Sequence, residues 1–207
     1  MTDPYGVEPE PNDPDLPGDP VVHETAEHVL DALASEIYVH ARICVRTFGD
    51  FHFALSVGPF QERLVRRLMI DPNVRGLPWN RTHVWAITDR PDDGGRSAFR
   101  SITGLLVDQA GIPEANLHVP DHSADGAADA YEARLQQTLA WREKGQDRLD
   151  AALLVVETDG SLAGVRPDDS RVASADRLVV EAAKGLSMTT RLINATRLIT
   201  VVATGPE

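Results

Sequence analysis

The chain has 207 residues, 42% hydrophobic and 25% charged, which is enough for one sizeable core without disulfide or metal staples. Asp and Glu outnumber Lys and Arg 32 to 20, a net charge of -12 that excludes nucleic acid as the main partner, because phosphate-backbone binding draws its affinity from a basic excess. No apolar run of about 18 residues offers a membrane span, no basic-then-apolar leader opens the chain, and one cysteine, Cys44, can close no internal disulfide and suggests no zinc site, so a cytoplasmic globular protein is expected.

Residues 1–20 carry six carboxylates, no Lys or Arg, and six of the 14 prolines, and read as a disordered acidic tail ahead of a single domain over 21–207. From Glu24 to Arg42 the spacing of Val29, Leu30, Leu33, Ile37 and Tyr38 predicts an amphipathic helix. Phe51 to Val57 is a short β-type run ended by Gly58-Pro59, and Leu64, Val65, Leu68 and Met69 mark a second helix closed by Asp71-Pro72. His83 to Thr88 reads as a strand, Ser97 to Ala110 as a helix leaving through Gly111, and Asn116 to Pro120 as a short extended piece. Asp125 to Lys144 predicts a long helix, and Asp150 to Val156 an apolar strand covered on both faces. Arg177 to Val180 and Leu198 to Thr204 supply further strands, with a short helix near Thr190 to Thr196 between them. Trp79, Trp85 and Trp141 read as packing residues.

Strands alternating with helices, several of them apolar throughout, predict a three-layer, Rossmann-like α/β domain with a mostly parallel sheet. Ligands of such folds sit at the carboxyl ends of the strands. The segments to inspect are therefore Ser56 to Gln61, Thr88 to Ser97, Glu157 to Pro167 and the stretch before Asn194.

At those exits the chain carries FALSVGPFQERL (Phe53 to Leu64), HVWAITDRPDDGGRSAFRSI (His83 to Ile102) and GIPEANLHVPD (Gly111 to Asp121). AADAYEARL (Ala127 to Leu135), LDAALLVVETDGSLAGVRP (Leu149 to Pro167) and SMTTRLINATRLITVVATG (Ser187 to Gly205) follow in order. Together these resemble the 6-phosphogluconolactonase family, which shares its fold with the glucosamine-6-phosphate isomerases. The resemblance runs from about Glu24 to Gly205. It implies that sugar-phosphate isomerase type of α/β fold and hydrolysis of 6-phosphogluconolactone to 6-phosphogluconate in the pentose phosphate pathway. It implies no metal or organic cofactor and a sugar phosphate as ligand; beyond the resemblance, a second copy of the chain, or a pathway dehydrogenase if the protein is regulatory, is the macromolecular partner considered.

The resemblance also places the site, and there the chain departs from the pattern. Where the family has a general-base histidine after Asp-Gly, Asp159-Gly160 is followed by Ser161, so the implied catalytic positions are Asp159 and Ser161. A serine hydroxyl has no useful basicity near neutral pH, and loss of a positioned base costs about 10² to 10⁴ in rate. Weak or absent activity is therefore expected, the alternative being a non-catalytic sugar-phosphate-binding or regulatory protein. The implied substrate and phosphate positions are Ser56, Gly58, Asp89, Arg90 and Gly160, with Arg166 and Arg191 as a relocated anion clamp. Val57, Pro59 and Phe60 stand where the family's phosphate loop has Gly, Ser and Thr, and the family's arginine before the Thr-Leu-Thr element falls at Gly185. On chemistry alone Asp89-Arg90 also reads as a surface pair, Asp159-Gly160 as a turn, and Arg166 and Arg191 as solvated side chains. Among substitute bases, His52 and His83 open strands at the end opposite the expected cleft, His118 matches a structural position, and His122 remains a candidate by type.

Overall fold

The computed structural model describes residues 18–123, 125–139, 148–166, 168–174, 176–183 and 185–205. Most of the acidic stretch at 1–20 lies outside the described residues, as do Trp141 and the end of the helix expected to reach Lys144.

Helix α1 (Ala26–Phe48) starts at Thr25, whose hydroxyl accepts the His28 N–H, and ends at Gly49, which adopts φ 92° and returns its N–H to Val45. It outruns the expected end at Arg42 because its apolar stripe continues through Cys44 and Val45 to Phe48. Leu30, Leu33, Ala34, Ile37, Ala41 and Cys44 form its buried face; each large apolar side chain removed from water there stabilises the fold by about 1.5–3 kcal/mol. Helix α2 (Pro59–Ile70) starts with proline at its first turn and packs on α1, with Arg67 bridging to Glu27 at 2.6 Å and to Asp31 on the solvent side.

Strands β1 (Phe51–Leu55), β2 (Thr82–Ala86), β4 (Leu117–His118), β5 (Ala151–Val155) and β8 (Leu198–Val202) form a parallel sheet in the order β4-β2-β1-β5-β8. Every residue of β1 and β5 is buried, so both faces are covered, as a parallel sheet requires. A second, antiparallel sheet has the order β3-β7-β6, from Thr88–Asp89, Gly185–Met188 and Val179–Ala182. The single strand expected over His83–Thr88 is thus two: the chain leaves the parallel sheet at Ile87, whose N–H bonds Leu55 while its carbonyl accepts from Met188. Helices α3 (Arg100–Ala110), α4 (Ala127–Leu139) and α5 (Thr190–Asn194) complete the domain, α3 closing at Gly111. No helix of the described residues is long and apolar enough to cross a membrane.

Beneath the N-terminal half of the sheet lies a buried aromatic and imidazole stack. The Trp85 indole N–H donates to His52 Nδ1 at 3.1 Å, and its ring lies on His118 with centroids 3.5 Å apart. His118 Nε2 meets His83 Nδ1 at 3.0 Å, and the Tyr131 hydroxyl accepts the Ala86 N–H while facing the carbonyls of Ala86 and His118. Burial, with His83 and Arg134 adding like charge, lowers the His118 pKa to about 3 from 6.5. Above pH 6.5 this residue is neutral folded and unfolded, and no stability depends on its titration. As pH falls from 6.5 towards 3 the unfolded chain binds a proton that the folded chain refuses. Chemical denaturation between pH 7.5 and 4.5 will therefore show stability declining on the acid side, with up to about 1.4 kcal/mol per pH unit due to this one residue. The slope will be smaller in His118→Asn.

Candidate functional site

A cleft of about 550 Å³ opens between the carboxyl ends of β1 and β5 and the antiparallel sheet. Five residues expected in the site line it: Asp89, Arg90, Asp159, Ser161 and Arg166. Ser56, Gly58, Gly160 and Arg191 do not.

The wall built by β3 and β7 depends on Gly185. Its φ is 138°, and a Cβ placed on it would lie 2.2 Å from the Asp89 carbonyl oxygen and 2.9 Å from Arg90 Cα. Any side chain here, including the arginine that the resemblance implies, collides with backbone. The Asp89 side chain is fully enclosed. Its Oδ1 accepts the Phe99 N–H at 3.0 Å, at the start of α3, and its Oδ2 lies 2.8 Å from His122 Nε2. Asp89 therefore meets the cleft through its backbone, while its carboxylate pins α3 and the 122 region behind Arg90. His122, considered as a substitute base, is engaged with that carboxylate and does not line the cleft.

After β5 the chain turns tightly. Glu157 N–H bonds the Ser161 carbonyl at 2.8 Å, Gly160 N–H bonds the Glu157 carbonyl at 2.9 Å, and Gly160 takes φ 78°. The Ser161 amide and hydroxyl both donate to Asp159 Oδ1, at 3.0 and 2.6 Å. Ser161 is buried, and its oxygen faces a carboxylate, a pairing that neither raises its nucleophilicity as an imidazole would nor gives it basicity. Ala163 and Gly164, both at positive φ (52° and 80°), then form a two-residue turn closed by reciprocal Leu162–Val165 hydrogen bonds of 2.9 Å. This reversal returns Arg166 to the cleft.

The loop from Ser56 to Phe60 is filled from within. Gln61, 2% exposed, donates from Nε2 to Ser56 Oγ at 2.9 Å, and its Oε1 would lie 2.5 Å from a Cβ on Gly58. Of this loop only Val57 reaches the cleft. Arg191 instead points Nη1 towards the Asp176 carbonyl, 3.4 Å away.

Three guanidinium groups line the cleft. Arg171, absent from the expectations because it follows the stretch inspected, binds Asp169 through Nε and Nη2 at 2.8 and 2.9 Å. That hydrogen bonding lowers the Asp169 pKa to about 2. Arg166 meets Asp168 through Nε alone at 3.2 Å, with both side chains largely exposed. Arg90 has no ion-pair partner among the described residues. Glu157 and Asp159 add negative charge at the same exits. No histidine lines the cleft among the described residues. Metal-type donors come together at the opposite pole, where atoms of Asp50, His52 and His83 lie within 4.8 Å of one another. Those donors are engaged: Asp50 pairs with Arg81 at 2.9 Å, His83 bonds His118, and His52 accepts the Trp85 N–H on Nδ1, which places the proton of a neutral ring on Nε2.

Comparison with known proteins matches residues 24–207 to the model of the glucosamine-6-phosphate isomerases/6-phosphogluconolactonase. The human GDH/6PGL endoplasmic bifunctional protein is 28% identical over 202 residues, 90% of this chain and 25% of that protein. The Synechocystis 6-phosphogluconolactonase is 30% identical over 174 residues, covering 76% of this chain and 68% of the relative. The chain thus spans about a quarter of the human protein and most of the cyanobacterial one. Among solved structures, the 6-phosphogluconolactonase from Trypanosoma brucei superposes with TM-score 0.72 at 19% identity, covering 89% of this chain and 81% of that one. The Thermotoga maritima enzyme gives 0.65 at 24%, covering 83% and 78%.

The Gly185 contact is open to direct measurement. Gly185→Ala adds a methyl group against the Asp89 carbonyl at a φ that side chains rarely adopt, and will cost about 1–3 kcal/mol. A chain of this size should lose several degrees in Tm by calorimetry.

Proposed function

Since the chain belongs to the glucosamine-6-phosphate isomerase/6-phosphogluconolactonase family, we propose that its cleft takes 6-phosphoglucono-1,5-lactone and hydrolyses it slowly to 6-phosphogluconate. The observation that carries this reading is the Asp159–Ser161 turn. It occupies the strand exit where the resemblance implies the base, yet presents a serine hydroxyl already donated to Asp159 at 2.6 Å.

Lactone hydrolysis adds water to the ring carbonyl and breaks the ring C–O bond, and the water proton passes to the departing alkoxide. A positioned base accelerates the first step by removing that proton as the O–C bond forms. Ser161 cannot serve in that role. The Asp159 carboxylate, a weak base, is occupied by the Ser161 amide and hydroxyl. What the cleft retains is binding: arginine side chains for an anionic ligand, and a concave wall held by the β3–β7 pair. Holding the lactone in one position and orientation still lowers the barrier somewhat, so the rate falls without the base but does not vanish. The compartment proposed with this activity is the cytoplasm, where the buried thiol of Cys44 stays reduced.

The test is hydrolysis of freshly generated 6-phosphogluconolactone by the purified protein, with the spontaneous rate subtracted. The expected rate lies about 10² to 10⁴ below that of a histidine-bearing lactonase measured in parallel. Ser161→His is expected to recover part of the difference. A wild-type rate equal to that of the histidine-bearing enzyme would overturn the reading, and no enzyme-dependent rate together with tight 6-phosphogluconate binding would make the protein a ligand-binding relative.

A further inference from the structure

Resting on that reading of the cleft, we infer that the phosphate end of the ligand is held by an arginine rim, Arg90, Arg166 and Arg171, and not by the strand–helix loop over 56–60. Two independent sets of observations meet here. The first closes the loop. The Gln61 side chain lies inside it, uses the Ser56 hydroxyl and fills the space beside Gly58. Pro59 brings no N–H, Phe60 no hydroxyl, and both Phe60 and Gln61 are buried. A phosphate needs several converging donors, and the space beside Gly58 already holds the Gln61 side-chain amide.

The second set builds the alternative. The three arginines line one cleft, and each keeps donor capacity. Arg171 spends Nε and Nη2 on Asp169, which fixes its plane and leaves Nη1 to a ligand. Arg166 spends Nε alone, and Arg90 makes no ion pair among the described residues. Guanidinium groups meet phosphate oxygens through paired N–H donors, so a fork fixed by one carboxylate is pre-organised for the second anion. Asp168 sits at the rim as a competitor: exposed and bonded to Arg166 by one contact, it gives way to a phosphate dianion at little cost. Gly185 supports the same placement, because the backbone of Asp89 and Arg90 fills the position from which the resemblance would bring an arginine.

The experiment is calorimetric titration of the full chain with 6-phosphogluconate, the stable product, and with unphosphorylated gluconate. Thermal unfolding of each variant verifies the fold. Arg90→Gln, Arg166→Gln and Arg171→Gln are each expected to raise Kd for 6-phosphogluconate about tenfold or more while leaving gluconate binding unchanged. Asp168→Asn is expected to tighten 6-phosphogluconate binding, and Ser56→Ala to leave it within twofold. Loss of affinity in Ser56→Ala with none in the arginine variants would place the phosphate in the loop and overturn the inference while the lactone reading stands. Equal affinity for gluconate and 6-phosphogluconate would also overturn it. Absence of binding by the wild-type chain at millimolar 6-phosphogluconate would remove the lactone reading and the rim together.

Discussion

The close approach of Gly185 to the Asp89 carbonyl organises the functional end of the molecule. Only a residue without Cβ lets β7 reach β3 at this distance, and that pairing makes the second sheet. The second sheet in turn forms one wall of the cleft and presents Arg90 at its edge. The Asp89 carboxylate, turned the other way, ties the same strand to the start of α3 and to His122. One backbone contact therefore fixes one wall of the cleft, the place of Arg90 on it, and why an arginine cannot stand at position 185.

Charge in the cleft is balanced by pairing more than by composition. Arg171 is held by a carboxylate whose pKa falls to about 2, so the pair persists across the physiological pH range. Arg166 is paired loosely at the solvent edge, where an ion pair contributes about 0–1 kcal/mol. The same carboxylates that hold arginines in place oppose the arrival of another anion.

At the opposite pole the sheet is closed by polar groups instead of aliphatic ones. The Trp85 N–H donates to His52, His83 bonds His118, and the four rings stack on one another. The lowered pKa of His118 makes this pole one source of the fold's acid sensitivity.

Local pattern determined a large share of this protein. The apolar periods located α1, α2, β1, β5 and β8, and the near-continuous burial of β1 and β5 follows from their lack of polar alternation. The sequence motifs also led to Asp159, Ser161, Arg90 and Arg166, because strand exits of a parallel sheet converge whatever the details of packing. Tertiary structure alone decided the rest. The break at Ile87, strand β7, the enclosure of the Asp89 carboxylate and the arrival of Arg171 beside Arg90 all depend on partners far along the chain. Periodicity records which face of an element is buried. It carries no record of what that face is buried against, and long-range pairing is what turned these side chains toward the cleft or away from it.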